Sequence, residues 1–260
     1  MLLEVLGLIQ AVMAAGIIVV GGIVEGYGYG LSLGTNWPYT RSMPRLARSG
    51  DPEVWHRILA TLLGINSVII LVVHPGILEV TGFILIVITA LLGMATLYVL
   101  AGKAPSFFQG LHDVLAYLTL LTYLLVFSDP RMGLLGLLLT RTPLHSFFLA
   151  IFMGGVVTGQ RGFKKPIGHF VVPRTSSQWV WVVHGLAALL LIVTLGFYAS
   201  EYTAAFFAAL AQVGVGFLSY ESVNASASKP GAVVPLHQLI TILVAVSIFY
   251  AWSFRLPLLG

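Results

Sequence analysis

The sequence predicts an all-α integral membrane protein of eight transmembrane helices, built as two tandem four-helix bundles in parallel repeat. Composition is the first reason. Of 260 residues, 58% are hydrophobic and 8% charged, whereas a soluble domain carries about 25% charged residues. With a mean hydropathy of +0.98, the chain cannot cover a water-facing surface, and lipid must be its main solvent. The second reason is length. A span needs about 20 apolar residues, and eight such runs leave only short connections. The third is internal recurrence: glycine pairs and histidines return at nearly constant separation.

The runs are divided by charges, prolines and glycines. The first covers about 5–27, and its apolar start reads as a retained helix, since no basic leader or small-residue cleavage site accompanies it. A polar loop 28–55 carries Trp37, Pro38, Arg41, Arg45, Arg48, Asp51 and Glu53. The second helix runs from His56 to His74-Pro75, the third over 77–100 and the fourth over 107–127. The apolar stretch 132–140 is expected at the interface, before a fifth helix at 143–160. A basic loop 161–177 precedes the sixth, seventh and eighth helices at 178–199, 202–221 and 233–253. The chain therefore divides into halves at 1–130 and 131–260.

Gly21-Gly22-Ile23-Val24 with Gly26 recurs as Gly154-Gly155-Val156-Val157 with Gly159, 133 positions on. His56 and His184 are 128 apart, and His112 and His237 are 125 apart. Four helices return the chain to its starting side, so such repeats are parallel. The glycines form small-xxx-small ladders suited to close helix packing, and exposed ladders would also permit a homo-oligomer. They are not a phosphate loop, since no strand precedes them and no Gly-Lys-Ser/Thr follows. The absence of cysteine removes disulfides, thiolate metal sites and Cys nucleophiles. A charge of +4 spread over short loops argues against a nucleic-acid partner.

His56, His112, His184 and His237 are expected in the first turns of the second, fourth, sixth and eighth helices, near one membrane face. Ionisable groups within spans are costly and usually functional. Two histidines per half, at matched depth, can offer nitrogens to both sides of a flat ligand, and haem iron is the natural candidate. Zinc would want further protein ligands, and copper has no methionine pattern here. His74, His145 and His169 read as ordinary interfacial residues.

Glu53 stands three residues before His56, on the same helical face if the helix begins early. It suits a proton relay or a substrate-orienting group, or equally a helix-start acid that satisfies the dipole. Trp181 occupies the matching place before His184. Glu25 is a second candidate, and Asp113 is expected to face solvent or a loop. Basic residues crowd the histidine side (Arg41, Arg45, Arg48, Arg57, Lys103, Arg161, Lys164, Lys165, Arg174, Lys229), against Arg131, Arg141 and Arg255 opposite. This bias would place the histidine side in the cytoplasm, unless the cations serve anionic propionates.

In their order and spacing, these elements resemble the haem A synthase family over nearly the whole chain. The closest match is Gly21-Gly22-Ile23-Val24-Glu25-Gly26-Tyr27-Gly28-Tyr29-Gly30-Leu31-Ser32 leading to Trp37-Pro38, followed by Glu53-x-x-His56-Arg57. Gly93-Met94-Ala95-Thr96 before Leu111-His112, and Gln212-Val213-Gly214-Val215-Gly216 before Leu236-His237-Gln238, are similar to the family's later helix passages. The resemblance implies oxidation of the C8 methyl of haem O to a formyl group, giving haem A for terminal oxidases. It implies a haem b cofactor on His184 and His237, and substrate chemistry at His56 and His112 with Glu53 as the nearby acid. It further implies a plasma-membrane protein with a cytoplasmic N-terminus and an extracytoplasmic histidine face, against the charge bias. Haem O synthase or a terminal oxidase would be the expected partners, with an electron donor that the sequence does not name. The chain departs from the family in lacking loop cysteines and in placing Gly185 after His184, where an arginine is expected. Three other readings stand beside it. They are a dihaem cytochrome that only transfers electrons, a haem carrier or oxidase-assembly factor, and a transporter, the last disfavoured by spans without mid-membrane charges.

Overall fold

The computed structural model describes residues 2–128, 133–140 and 143–255, and these are helical with short connections. The helices are α1 (Leu2–Gly26), α2 (Met43–Arg48), α3 (Pro52–Val73), α4 (Ile77–Leu100), α5 (Phe107–Ser128), α6 (Gly133–Leu139), α7 (Leu144–Arg161), α8 (Ser176–Phe197), α9 (Thr203–Ala225) and α10 (Val233–Arg255). Among the described residues, seven helices are each long and apolar enough to cross a membrane. The α6 and α7 helices qualify only as a pair, bent by 93°, which would make an eighth span. At 1.5 Å per residue, helices of this length match a hydrocarbon layer of about 30 Å. The chain is a multi-pass helical membrane protein. The expected division at 130–131, together with Arg131 and Arg141, lies outside the described residues.

Two helix starts differ from the sequence expectation, for local reasons. The Asp51 side chain caps α3 by accepting from the N–H groups of Glu53 and Val54, and Pro52 fills the first helical position. The helix thus begins four residues before His56, which moves from the first turn to the second. Thr175 and Gln178 form a capping box that starts α8, leaving His184 deeper still, in the third turn. His112 and His237 also lie in second turns. The loop expected over 28–55 contains the short helix α2, and the stretch 132–140 carries α6.

Half of the α5 span is buried, more than in any other candidate span. Tyr117, Leu121, Tyr123 and Leu125 project from it into the main core. Between the two halves, α1 lies against α10 and α5 against α7. The glycine ladders make both contacts. A Cβ on Gly22 would stand 2.8 Å from Pro235 Cα, and one on Gly155 would stand 2.7 Å from Gly110 Cα. The Gly231 N–H donates to the Gly26 carbonyl at 2.7 Å. Gly22, Gly26, Gly155 and Gly159 are all buried. The ladders expected to favour association between molecules are therefore consumed inside one chain. Gly22→Leu is expected to cost roughly 1–3 kcal/mol through overpacking, read as a lowered unfolding temperature in detergent. Gly16→Leu, with open space around its Cβ, should leave that temperature unchanged.

Candidate functional site: a chamber with two imidazole pairs

One cavity of about 1170 Å³ runs through both halves, with a largely apolar wall that includes His56, His112, His184 and His237. It is somewhat larger than the pockets of roughly 300–1,000 Å³ that hold ordinary small ligands. His56 and His112 interact electrostatically, as do His184 and His237. The structure thus brings the four sequence-selected histidines together as two pairs.

Each imidazole rests on a glycine of the preceding long helix. An added Cβ would meet Cε1 of His56 at 3.5 Å from Gly21, and of His112 at 3.3 Å from Gly93. In the second half the distances are 3.2 Å from Gly154 to His184 and 3.4 Å from Gly216 to His237. The missing side chain lets the ring approach the helix backbone one turn earlier. His112 Nδ1 reaches the carbonyl of Thr89 at 3.0 Å, and His184 Nδ1 that of Ala150 at 3.1 Å, each four residues before the glycine. A carbonyl only accepts, so these Nδ1 atoms carry hydrogen and the neutral rings keep a lone pair on Nε2. His56 Nδ1 faces the Ile17 carbonyl short of hydrogen-bond geometry, and His237 Nδ1 is buried without a partner.

Glu53 lies on the chamber wall near His56, and its carboxylate is already engaged. Oε2 accepts the Ser32 N–H at 2.7 Å and the Ser32 hydroxyl at 2.8 Å, while Oε1 is 2.7 Å from Arg57. Arg57 also donates to the Asn36 carbonyl at 2.6 Å and the Pro38 carbonyl at 3.2 Å. Together they hold the 28–42 loop over the chamber, where Trp37, Pro38 and Tyr39 form part of the wall. In the second half, Trp181 replaces this network with an aromatic contact to Tyr220 at 4.5 Å.

The structure corrects or extends three residue assignments. Asp113 does not face solvent. It lines the chamber and accepts from Gln109 Nε2 at 2.9 Å. Glu25 is an ion-pair partner of Arg161 at 2.9 Å and lies 3.4 Å from the Thr158 hydroxyl. Arg161, counted above among loop cations, is the last residue of α7 and is buried, with further bonds to the carbonyls of Lys165 and Ala227. Glu25 and Thr158 are 133 positions apart, like the glycines before them, so matching places of the two halves meet at this pair. His74 pairs with Glu79 and His169 with Glu221, each at 3.0 Å. Among the described residues, no group of three or more His, Asp or Glu converges as an all-protein metal site.

Fold and site together define a multi-pass membrane protein with a two-part internal chamber and a pair of imidazoles in each part. No protein-family model matches the chain, and no curated protein matches it.

Proposed function

We propose that the chain is a haem O oxidoreductase of the haem A synthase type, with two four-helix repeats that share the chamber. The observation that carries this reading is the fourfold glycine–histidine seat. Ligating histidines commonly donate their other ring N–H to a backbone carbonyl, which fixes the ring and makes the free nitrogen more basic. Two of the four rings do so here, and all four lie on an apolar wall suited to a flat hydrophobic macrocycle. A pair of nitrogens completes an iron already held by four ring nitrogens, whereas zinc would need further ligands.

In this reading, His184 and His237 hold haem b, which supplies electrons when bound. His56 and His112 would hold the substrate haem O, whose C8 methyl would be oxidised to the formyl group of haem A with dioxygen as the oxidant, for use by terminal oxidases. Glu53 marks the substrate half because Trp181 stands in its place in the other. With three donors on its carboxylate, it acts as an acceptor that fixes Arg57 and the covering loop. Substrate orientation therefore fits Glu53 better than proton release. In the plasma membrane, the N-terminus would be cytoplasmic and the histidine face extracytoplasmic. The opposing charge bias is weaker than the residue count suggests, because Arg57 and Arg161 are bound inside the fold.

The test is to supply haem O, a reductant and dioxygen to the purified protein, then extract and separate the haems. Haem A should form, and Glu53→Ala should lower its yield roughly 10-fold or more through lost positioning. Bound haem without conversion, unaffected by Glu53→Ala, would instead identify an electron-transfer cytochrome. A protein that binds no haem would be neither.

A further inference from the structure

The two halves of the chamber differ in depth. On α5 and α10 the wall reaches equally far from the imidazoles, to Thr119 and Val244, each seven positions past its histidine. On α3 it continues to Val68, twelve positions past His56, whereas on α8 it stops at Ile192, eight past His184. On α4 it runs back to Phe83, ten positions before Gly93, whereas on α9 it stops at Ala209, seven before Gly216. The first half therefore has a slot between α3 and α4 that is one helical turn deeper than its counterpart. At 1.5 Å per residue it extends about 18 Å beyond His56 along α3.

The repeat shows how the second half is closed. His56 and His184 set the match of α3 with α8, and Gly93 and Gly216 that of α4 with α9. Gly64 then corresponds to Ile192, Val68 to Gly196 and Phe83 to Phe206. A Cβ on Gly64, a wall residue, would have nothing within 4 Å. Packing against a neighbour therefore does not demand this glycine, unlike Gly22 against Pro235, and glycine is unfavourable inside a helix. In the second half the branched side chain of Ile192 takes the matching place. Deeper in that half, Phe206 closes on Gly196, whose added Cβ would lie 3.7 Å from the ring. The corresponding Phe83 lines the slot instead.

We propose that this slot takes the isoprenoid tail of haem O, and that Gly64 is the residue that admits it. The inference rests on reading the first half as the haem O seat. Haem O and haem b share a macrocycle, but haem O carries a long branched hydrocarbon tail where haem b has a vinyl group. A half that holds haem b must fit the macrocycle alone, whereas a half that holds haem O must also fit the tail. The deeper slot lies in the half that carries Glu53. Tail and propionates project toward opposite edges of the macrocycle. Propionates drawn to the basic loop side direct the tail away from the loops and into the slot. There Ile65, Val68, Phe83, Ile86 and Val87 offer it an apolar wall.

The test is a binding measurement. The full chain is purified with its resident haem and titrated in detergent with haem O or with haem b, followed by Soret absorbance. Gly64→Ile, which copies the second half, should lower the ratio of haem O to haem b affinity roughly 10-fold or more, as expected for blocked hydrocarbon contacts. Taking the ratio removes the partitioning of the tail into detergent. Val68→Phe narrows the deep end and should act in the same direction, so the test survives if one variant does not fold. A ratio untouched by both changes, as when a lipid chain occupies the slot, would overturn the tail assignment and leave the haem reading standing. Equal weakening of both haems would overturn it too, because the substitution would then act on the macrocycle seat. A chain that binds neither haem would overturn both readings.

Discussion

Replacing His184 with alanine is expected to remove haem b from the purified protein, whereas His56→Ala should leave that haem in place and abolish haem O conversion. On the proposed reading, the first change would delete a ligand of the cofactor half, and the second a ligand of the substrate half. Equal haem loss from both would contradict the division of roles. A less invasive variant tests the seat itself. Gly154→Val introduces a Cβ 3.2 Å from His184 Cε1, tighter than ordinary contact, with γ-methyls beyond it. Pushing the ring off the Ala150 carbonyl disturbs ligand orientation, and such supporting contacts are worth about 10–100-fold in metal affinity. Haem per protein, measured by haemochrome absorbance, should fall accordingly. Gly214→Ala has nothing within 4 Å of the new Cβ and should leave haem content unchanged.

The second large effect is expected at Arg161. Arg161→Met leaves the Glu25 carboxylate without its cation, in a buried site that Asp113 also faces. Breaking a buried pair from one side typically costs about 3–5 kcal/mol, and the unfolding midpoint in detergent should fall by a corresponding amount. The double variant Glu25→Gln with Arg161→Met removes both charges and should recover most of the loss, because the desolvation cost disappears together with the attraction. If the double variant is no more stable than Arg161→Met alone, the pair does not carry the contact between the halves.

The helices were legible because charges, prolines and glycines are sparse and fall at their ends. The α4 bounds, Ile77–Leu100, agree with the expected 77–100. The four histidines stood out because rare residues recurred at nearly constant spacing. Their depth was misjudged, although Asp51-Pro52 before Glu53 is a strong helix-start signal and would have placed His56 in the second turn. Arg161 carried no comparable signal. At the end of an apolar run beside Lys164 and Lys165, it reads as a loop cation, and only the approach of α1 gives it Glu25. Asp113 escaped for a related reason: Gln109 is one turn away on α5, but Glu25 and Gly155 reach it only in the fold.

The contact of α1 with α10 has a consequence for biosynthesis. The Gly22–Gly26 face of α1 fits against α10, far later in the chain, near Pro235 and Gly231. Until α10 is inserted, that face meets only lipid or a neighbouring chain. The chamber is then still open along one side, because His237 and the α10 part of its wall have not arrived. Closure of the wall and completion of the second imidazole pair are thus one late event. On the proposed reading, the α10 flank of the chamber would be open to a flat, hydrophobic ligand only while the protein is being made.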